Sequence, residues 1–157
     1  MVTDLEKIYV ERAKNEFNIA KALFEISKNT TIKVELELKQ DSTYFSNVIS
    51  CAYYCIFYSA KALLISKGIR TEAPNEHKKT LDEFKVLVQS GFIDVELLKI
   101  YSKLIVRADS LLKIFEREKS KRGDFTYKTL SQANELPAKE SLNGAEYFLK
   151  QLLKLIK

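Results

Sequence analysis

The sequence predicts an all-α protein, an up-and-down bundle of four to five helices, and three observations carry that expectation. Residues 47–68, NVISCAYYCIFYSAKALLISKG, form a helix-length run that is apolar around most of its circumference and closes on Gly68. Most of the remaining chain repeats its apolar residues at spacings of three and four, the signature of an amphipathic helix. Strand-like alternation is confined to one short stretch, 29–42.

The elements follow in order. From about residue 3 to 27, Leu5, Ile8, Tyr9, Ala13, Phe17, Ala20, Leu23 and Phe24 recur at helical spacing, with Thr3 or Asp4 as the N-terminal cap. In 29–42, Ile32, Val34, Leu36 and Leu38 alternate with Lys33, Glu35 and Glu37, which predicts a short extended insertion between the first two long helices. The second long helix is expected over about 43–67. On its wheel Phe45, Ile49, Ala52, Ile56, Ala60 and Leu63 share one flank, while Val48, Cys51, Cys55, Tyr58 and Ile65 point elsewhere. Asn47, Ser50 and Lys61 are left as a narrow polar strip. A helix apolar all round must be buried, and a small chain has little material to wrap it, so the spare surface predicts a homodimer built on this helix through Tyr53, Tyr54, Phe57 and Tyr58. A third helix is expected over 76–89, stopping near Gly91, and a fourth over 95–121 after Asp94. The polar stretch 123–138, with Pro137, reads as a loop. A last amphipathic helix over 139–156 carries Leu142, Ala145, Phe148, Leu149 and Leu152.

With 157 residues, 46% of them hydrophobic, the chain is expected to fold as one domain spanning 1–157. The net charge of +5 leans toward anionic partners. Polar residues interrupt the apolar run before it reaches the length of a membrane span. The first residues begin with charges rather than a basic head and apolar signal core, so a cytoplasmic protein without membrane association is expected. Cys51 and Cys55 lie one turn apart and read as small core residues. No residue spacing suggests a metal site, and no cofactor is implied. The four glycines form no phosphate loop.

One pattern points to chemistry. On the fourth helix Lys99, Lys103, Arg107, Lys113, Arg117 and Lys121 fall within an arc of about 120° opposite the apolar face. Cations at this spacing all face one ligand and could track a phosphate backbone or hold a nucleotide. The alternative is a solvated face whose charges complement the helix C-terminus.

The run AYYCIFYSAKALLISKG (52–68), then His77 with Phe84, then FEREKSKRGDF (115–125) resembles the HEPN family, the "higher eukaryote and prokaryote nucleotide-binding" helical domain. The likeness is to its small stand-alone prokaryotic members and covers most of the chain. It implies a four- or five-helix bundle, usually a homodimer with its sites near the dimer cleft. It also implies RNA cleavage or nucleotide binding, often beside a small nucleotidyltransferase as antitoxin. Catalytic members carry an Arg, a polar residue and, roughly a turn further on, a His. Arg117 matches the Arg, but residues 118–124 supply no His, and Lys121 and Arg122 stand where non-catalytic members show Asp-Tyr. The resemblance therefore implies phosphate binding through Arg117, Lys121 and Arg122, aided by Lys113 and Arg107, without the usual proton carrier.

His77 is the one histidine, so any imidazole chemistry passes through it. Three functions stay open on the sequence: a non-catalytic RNA- or nucleotide-binding module, a metal-independent ribonuclease toxin with a departed active site using His77, and a protein-interaction scaffold. Tyr53 and Tyr54 read as core and interface aromatics in preference to base-stacking platforms. Relative to compact family members, the 29–42 segment and a stretch over 127–140 look inserted.

Overall fold

The computed structural model describes residues 3–120 and 135–156, the side chains of 112–120 excepted. Six helices make up the described chain: α1 (Asp4–Lys28), α2 (Thr30–Glu35), α3 (Phe45–Ser66), α4 (Glu76–Gln89), α5 (Val95–Ser120) and α6 (Glu135–Leu155). No strand occurs among the described residues. The all-α bundle expected from periodicity is the fold.

Local chemistry sets the helix ends. Thr3 Oγ1 accepts from the Glu6 N–H at 3.2 Å, satisfying one of the free donors that open α1. Helices α3 and α4 each end in the same way, with a glycine at positive φ, Gly68 at 78° and Gly91 at 81°. Around Gly68 the Ile69 N–H reaches back to the Leu64 carbonyl at 2.9 Å and the Gly68 N–H to that of Ile65 at 2.9 Å. Phe92 and Gly91 repeat the pattern on the Leu87 and Val88 carbonyls. This double bond requires a left-handed residue, which glycine adopts without a Cβ clash.

Two expectations are corrected here. The 29–42 stretch is not extended: Asn29 Oδ1 accepts from the Ile32 N–H at 3.0 Å and starts the short helix α2. Its alternating apolar residues have no sheet to cover them, and Val34 and Leu36 stay 66% and 53% exposed. Lys33 is instead the buried member, its ammonium donating to the Gln40 carbonyl at 2.9 Å. Pro137 does not mark a loop, because α6 already begins at Glu135. Proline is tolerated in a first turn, where its missing N–H would have had no helical partner.

The four long helices alternate in direction. Tyr9 meets Tyr58 and Phe24 meets Phe45, so α1 and α3 are antiparallel. Arg107 meets Ser141 while the Gly144 side of α6 lies against Ile100 and Leu104, so α5 and α6 are antiparallel too. A Cβ at Gly144 would lie 3.3 Å from Ile100 Cγ2, a tight contact that favours glycine where α6 meets α5. Phe84 stacks on Phe148 at 5.5 Å, Tyr101 meets both edge-on at 5.5 and 5.9 Å, and the three rings tie α4, α5 and α6 together. The Tyr101 hydroxyl within this cluster is buried without a hydrogen-bond partner among the described residues.

Helix α3 runs through the middle, packed against α1, α4, α5 and α6. Val48, Ile49, Ala52, Cys55, Ile56, Ala60, Leu63 and Leu64 are all buried. By length and composition it could cross a membrane, yet most of it is enclosed by the chain's own helices, as in a core helix. The premise that this helix needs a second subunit to cover it is thereby corrected: one chain wraps it, except along an edge at Tyr54, which is 39% exposed. The polar strip is corrected as well, since Lys61 lies inside the fold at 4% exposure.

Candidate functional site

The uncovered edge of α3 is where chemistry-bearing side chains gather. The order Tyr53, Tyr54, Phe57, Tyr58 places one aromatic pair a helical turn above another. Phe57 is buried, Tyr53 and Tyr58 are half-buried and Tyr54 is open. Tyr58 stacks on Tyr9 of α1 at 5.9 Å, and the Arg12 guanidinium lies 5.6 Å from both ring centres.

The start of α4 brings His77 to this edge. Asn75 turns the chain at φ 60° into α4, and Glu76 beside it binds the ammonium of Lys61 from α3. Lys61 also donates to the Thr71 carbonyl at 3.0 Å, and Thr71 and Thr80 share a 2.7 Å hydroxyl bond. Burial opposes the Lys61 charge, but its bonds to Glu76 and Tyr9 outweigh that cost and hold the ammonium above its ordinary pKa. This lock fixes the first turn of α4 on α3, and His77 is part of that turn.

His77 is itself exposed, yet it is held on two sides. Its ring lies 4.0 Å from Phe57 with planes 10° apart. Its Nδ1 and the Tyr53 hydroxyl share a 2.7 Å hydrogen bond whose donor depends on the imidazole tautomer. Tyr54 stands 6.0 Å away at 78°. Burial, helped by Tyr54 and Asp109, pushes the Tyr53 hydroxyl up to about 12, so it keeps its proton at neutral pH. The protonated hydroxyl is thus able to donate to Nδ1.

The cysteines are free, and both are raised mainly by burial, Cys51 to about 11 and Cys55 to about 12. Neither is a thiolate at neutral pH, so neither is an activated nucleophile. Among the described residues no three His, Cys, Asp or Glu converge as metal ligands.

Arg107 projects from α5 onto α6. Its Nη1 donates to Ser141 Oγ at 3.1 Å and to the Pro137 carbonyl at 3.4 Å, and its Nη2 binds the Glu140 carboxylate. Lys103 Nζ lies 3.6 Å from the same carboxylate. The hydrogen bond from Arg107 and its charge hold the Glu140 carboxyl below its usual range. Lys99 pairs with Glu96 at 3.0 Å. The side chains of Lys113 and Arg117, and the whole of Lys121 and Arg122, lie outside the described residues.

The structure therefore brings Tyr53, Tyr54, Phe57 and His77 together and sets Arg107 in a separate contact with α6. Sequence reasoning missed Glu140, Asp109 and the lock of Lys61 with Glu76. Glu140 stands 33 positions from Arg107, and no local spacing signals such a pair.

No protein-family model matches the chain. Over 149 residues, covering 94% of this chain and 86% of the relative, it is 26% identical to a protein of Methanocaldococcus jannaschii that bears the name "putative toxin".

Proposed function

We propose that this chain is a HEPN-type helical toxin that binds the phosphate of RNA or of a nucleotide, as the HEPN half of a nucleotidyltransferase/HEPN toxin–antitoxin pair. The observation that carries the reading is the near end-to-end similarity to the archaeal protein named as a toxin. The residues that resemble the HEPN family add the domain type, and the net charge of +5 adds the anionic ligand. Arg107 is taken up by Glu140, Ser141 and the Pro137 carbonyl, with Lys103 beside the same carboxylate, so the reading places the phosphate on the cations further along the chain. Lys113, Arg117, Lys121 and Arg122 continue the cationic series along the sequence. The reading expects a cytoplasmic homodimer partnered by a small nucleotidyltransferase.

Titration of labelled single-stranded RNA and of nucleotides at rising salt tests this. Affinity should fall steeply with salt, and Arg117→Ala with Arg122→Ala should lower the log–log slope by roughly 1.4, about 0.7 for each phosphate no longer neutralised. Salt-insensitive or absent binding, unchanged in the double variant, overturns the reading.

A second reading, a metal-independent ribonuclease, is favoured by the ordered imidazole. Among the described residues the one hydrogen bond to the imidazole is that of Tyr53 at Nδ1, and a proton-transfer group needs its other nitrogen open to substrate. RNA incubated with the protein in chelator should then be cleaved, and His77→Ala should slow cleavage by about a hundredfold or more. RNA that stays intact removes this reading.

A further inference from the structure

We propose that His77 and Tyr54 form a stacking seat for one unpaired nucleobase, an inference that rests on the RNA- or nucleotide-binding reading and names the part of the ligand taken at this edge. Exposed histidines ordinarily swing among rotamers; this one cannot turn without giving up both of its supports. Phe57 covers one face in a parallel stack at 4.0 Å, and Phe57 is itself buried, so the stack has a rigid base. Tyr53 lies beside the imidazole, its plane 18° away, and holds its edge through the 2.7 Å hydrogen bond. Among the described residues, the exposure left to His77 is therefore on its second face and its Nε2 edge. Tyr54 stands upright beside this stack, at 78° to the imidazole and 82° to Phe57, with its ring centre 6.0 Å and 6.5 Å from theirs.

An exposed imidazole fixed on a buried ring and bordered by an open tyrosine suits a planar ligand. A third ring laid on His77 would continue the Phe57 stack, with the exposed Tyr54 ring at its margin. Base–aromatic stacking of this kind is how proteins hold unpaired bases with little sequence preference. His77 Nε2 and the Tyr54 hydroxyl supply polar edges, which a purely apolar docking patch would lack. The carboxylates near the cluster, Asp109 acting on Tyr53 and Glu16 acting on Tyr58, disfavour phosphate at those tyrosines. The seat accordingly takes a base, and the phosphate remains with the cations of the proposed function.

The single histidine makes the test clean, because its ring protons give one set of NMR signals. Adenosine, adenosine 5′-monophosphate and a short single-stranded RNA are titrated in turn into the intact protein. Stacking should move the His77 ring protons upfield in a saturable way with all three ligands. Tyr54→Ala, at an exposed position, should weaken adenosine binding on the order of tenfold. An abasic oligonucleotide should bind in a salt-sensitive manner and leave the His77 signals in place. Salt-sensitive RNA binding without any movement of these signals overturns the seat and leaves the phosphate reading standing. Movement with adenosine, but no salt-sensitive binding of RNA or nucleotide, supports the seat and removes the phosphate reading. If Tyr54→Ala turns a dimer into a monomer and leaves adenosine binding unchanged, the edge is covered by a second copy and the seat is overturned.

Discussion

Glu76→Ala is expected to lower the unfolding free energy by about 2–3 kcal/mol, a large share of the stability of a small domain. Glu76 is the anionic partner of Lys61, and Lys61 is 4% exposed. Removing the carboxylate leaves an ammonium inside the fold with the Thr71 carbonyl and the faces of Tyr9 and Phe57 as its remaining support. An uncompensated buried charge generally costs about 3–5 kcal/mol, and partial exposure of Glu76 places the effect somewhat lower. Urea unfolding should show a lower midpoint at unchanged slope. Lys61→Met in the Glu76→Ala background should restore much of the loss, because it removes the stranded charge and keeps the apolar stem. If Glu76→Ala is as stable as the wild type, Lys61 is not held by this pair. Because Glu76 and His77 share the first turn of α4, the same variant should also disturb the His77 ring signals.

The outcome at Lys61 shows how far the sequence could be read. Helix periods are local, so α1, α3, α4 and α5 could be placed, and Gly68 and Gly91 mark ends because a left-handed residue is a local demand. The alternation of 32–38 misled because period two signals a strand only where a sheet covers one face, and no strand exists among the described residues to do so. The polar strip failed at Lys61 for a related reason. A wheel treats lysine as exposed, whereas its burial depends on Glu76, fifteen positions away across a turn. The site divides in the same manner. The grouping of Tyr53, Tyr54, Phe57 and Tyr58 is a one-helix fact and was legible. The bond from Tyr53 to His77 joins two helices 24 positions apart, so it emerges only from the packing of α4 on α3. The commitment of Arg107 to Glu140 is likewise a product of the α5–α6 approach.

Stability is expected to fall from about pH 9 upward, with a loss of roughly 2–3 kcal/mol by pH 10. Cys55 and Cys51 ordinarily ionise near 9.0, but burial holds them at about 12 and about 11 in the fold. In the unfolded chain each thiol therefore releases its proton above pH 9, while the folded chain retains it. A raised folded pKa contributes stability that is complete below the unfolded value and drains away as pH climbs toward the folded one, so the sign is a loss with rising pH. One unit above its unfolded pKa, each thiol favours unfolding by about 1.4 kcal/mol, and Cys51, being half-buried, is counted at less than that. Tyr53, pushed from 10.0 to about 12, and Tyr101, raised chiefly by burial, add to the slope above pH 10. Lys61 adds in the same direction, because its raised pKa makes the ammonium a stabilising partner only until it deprotonates. Urea midpoints measured from pH 7.5 to 10 should trace this decline. Cys51→Ala with Cys55→Ala should flatten the curve between pH 8.5 and 10, although the small cavities left behind lower its plateau. A wild-type curve as flat as that of the double variant would show that the thiols of α3 ionise as easily in the fold as out of it, and that α3 is far wetter than its packing requires.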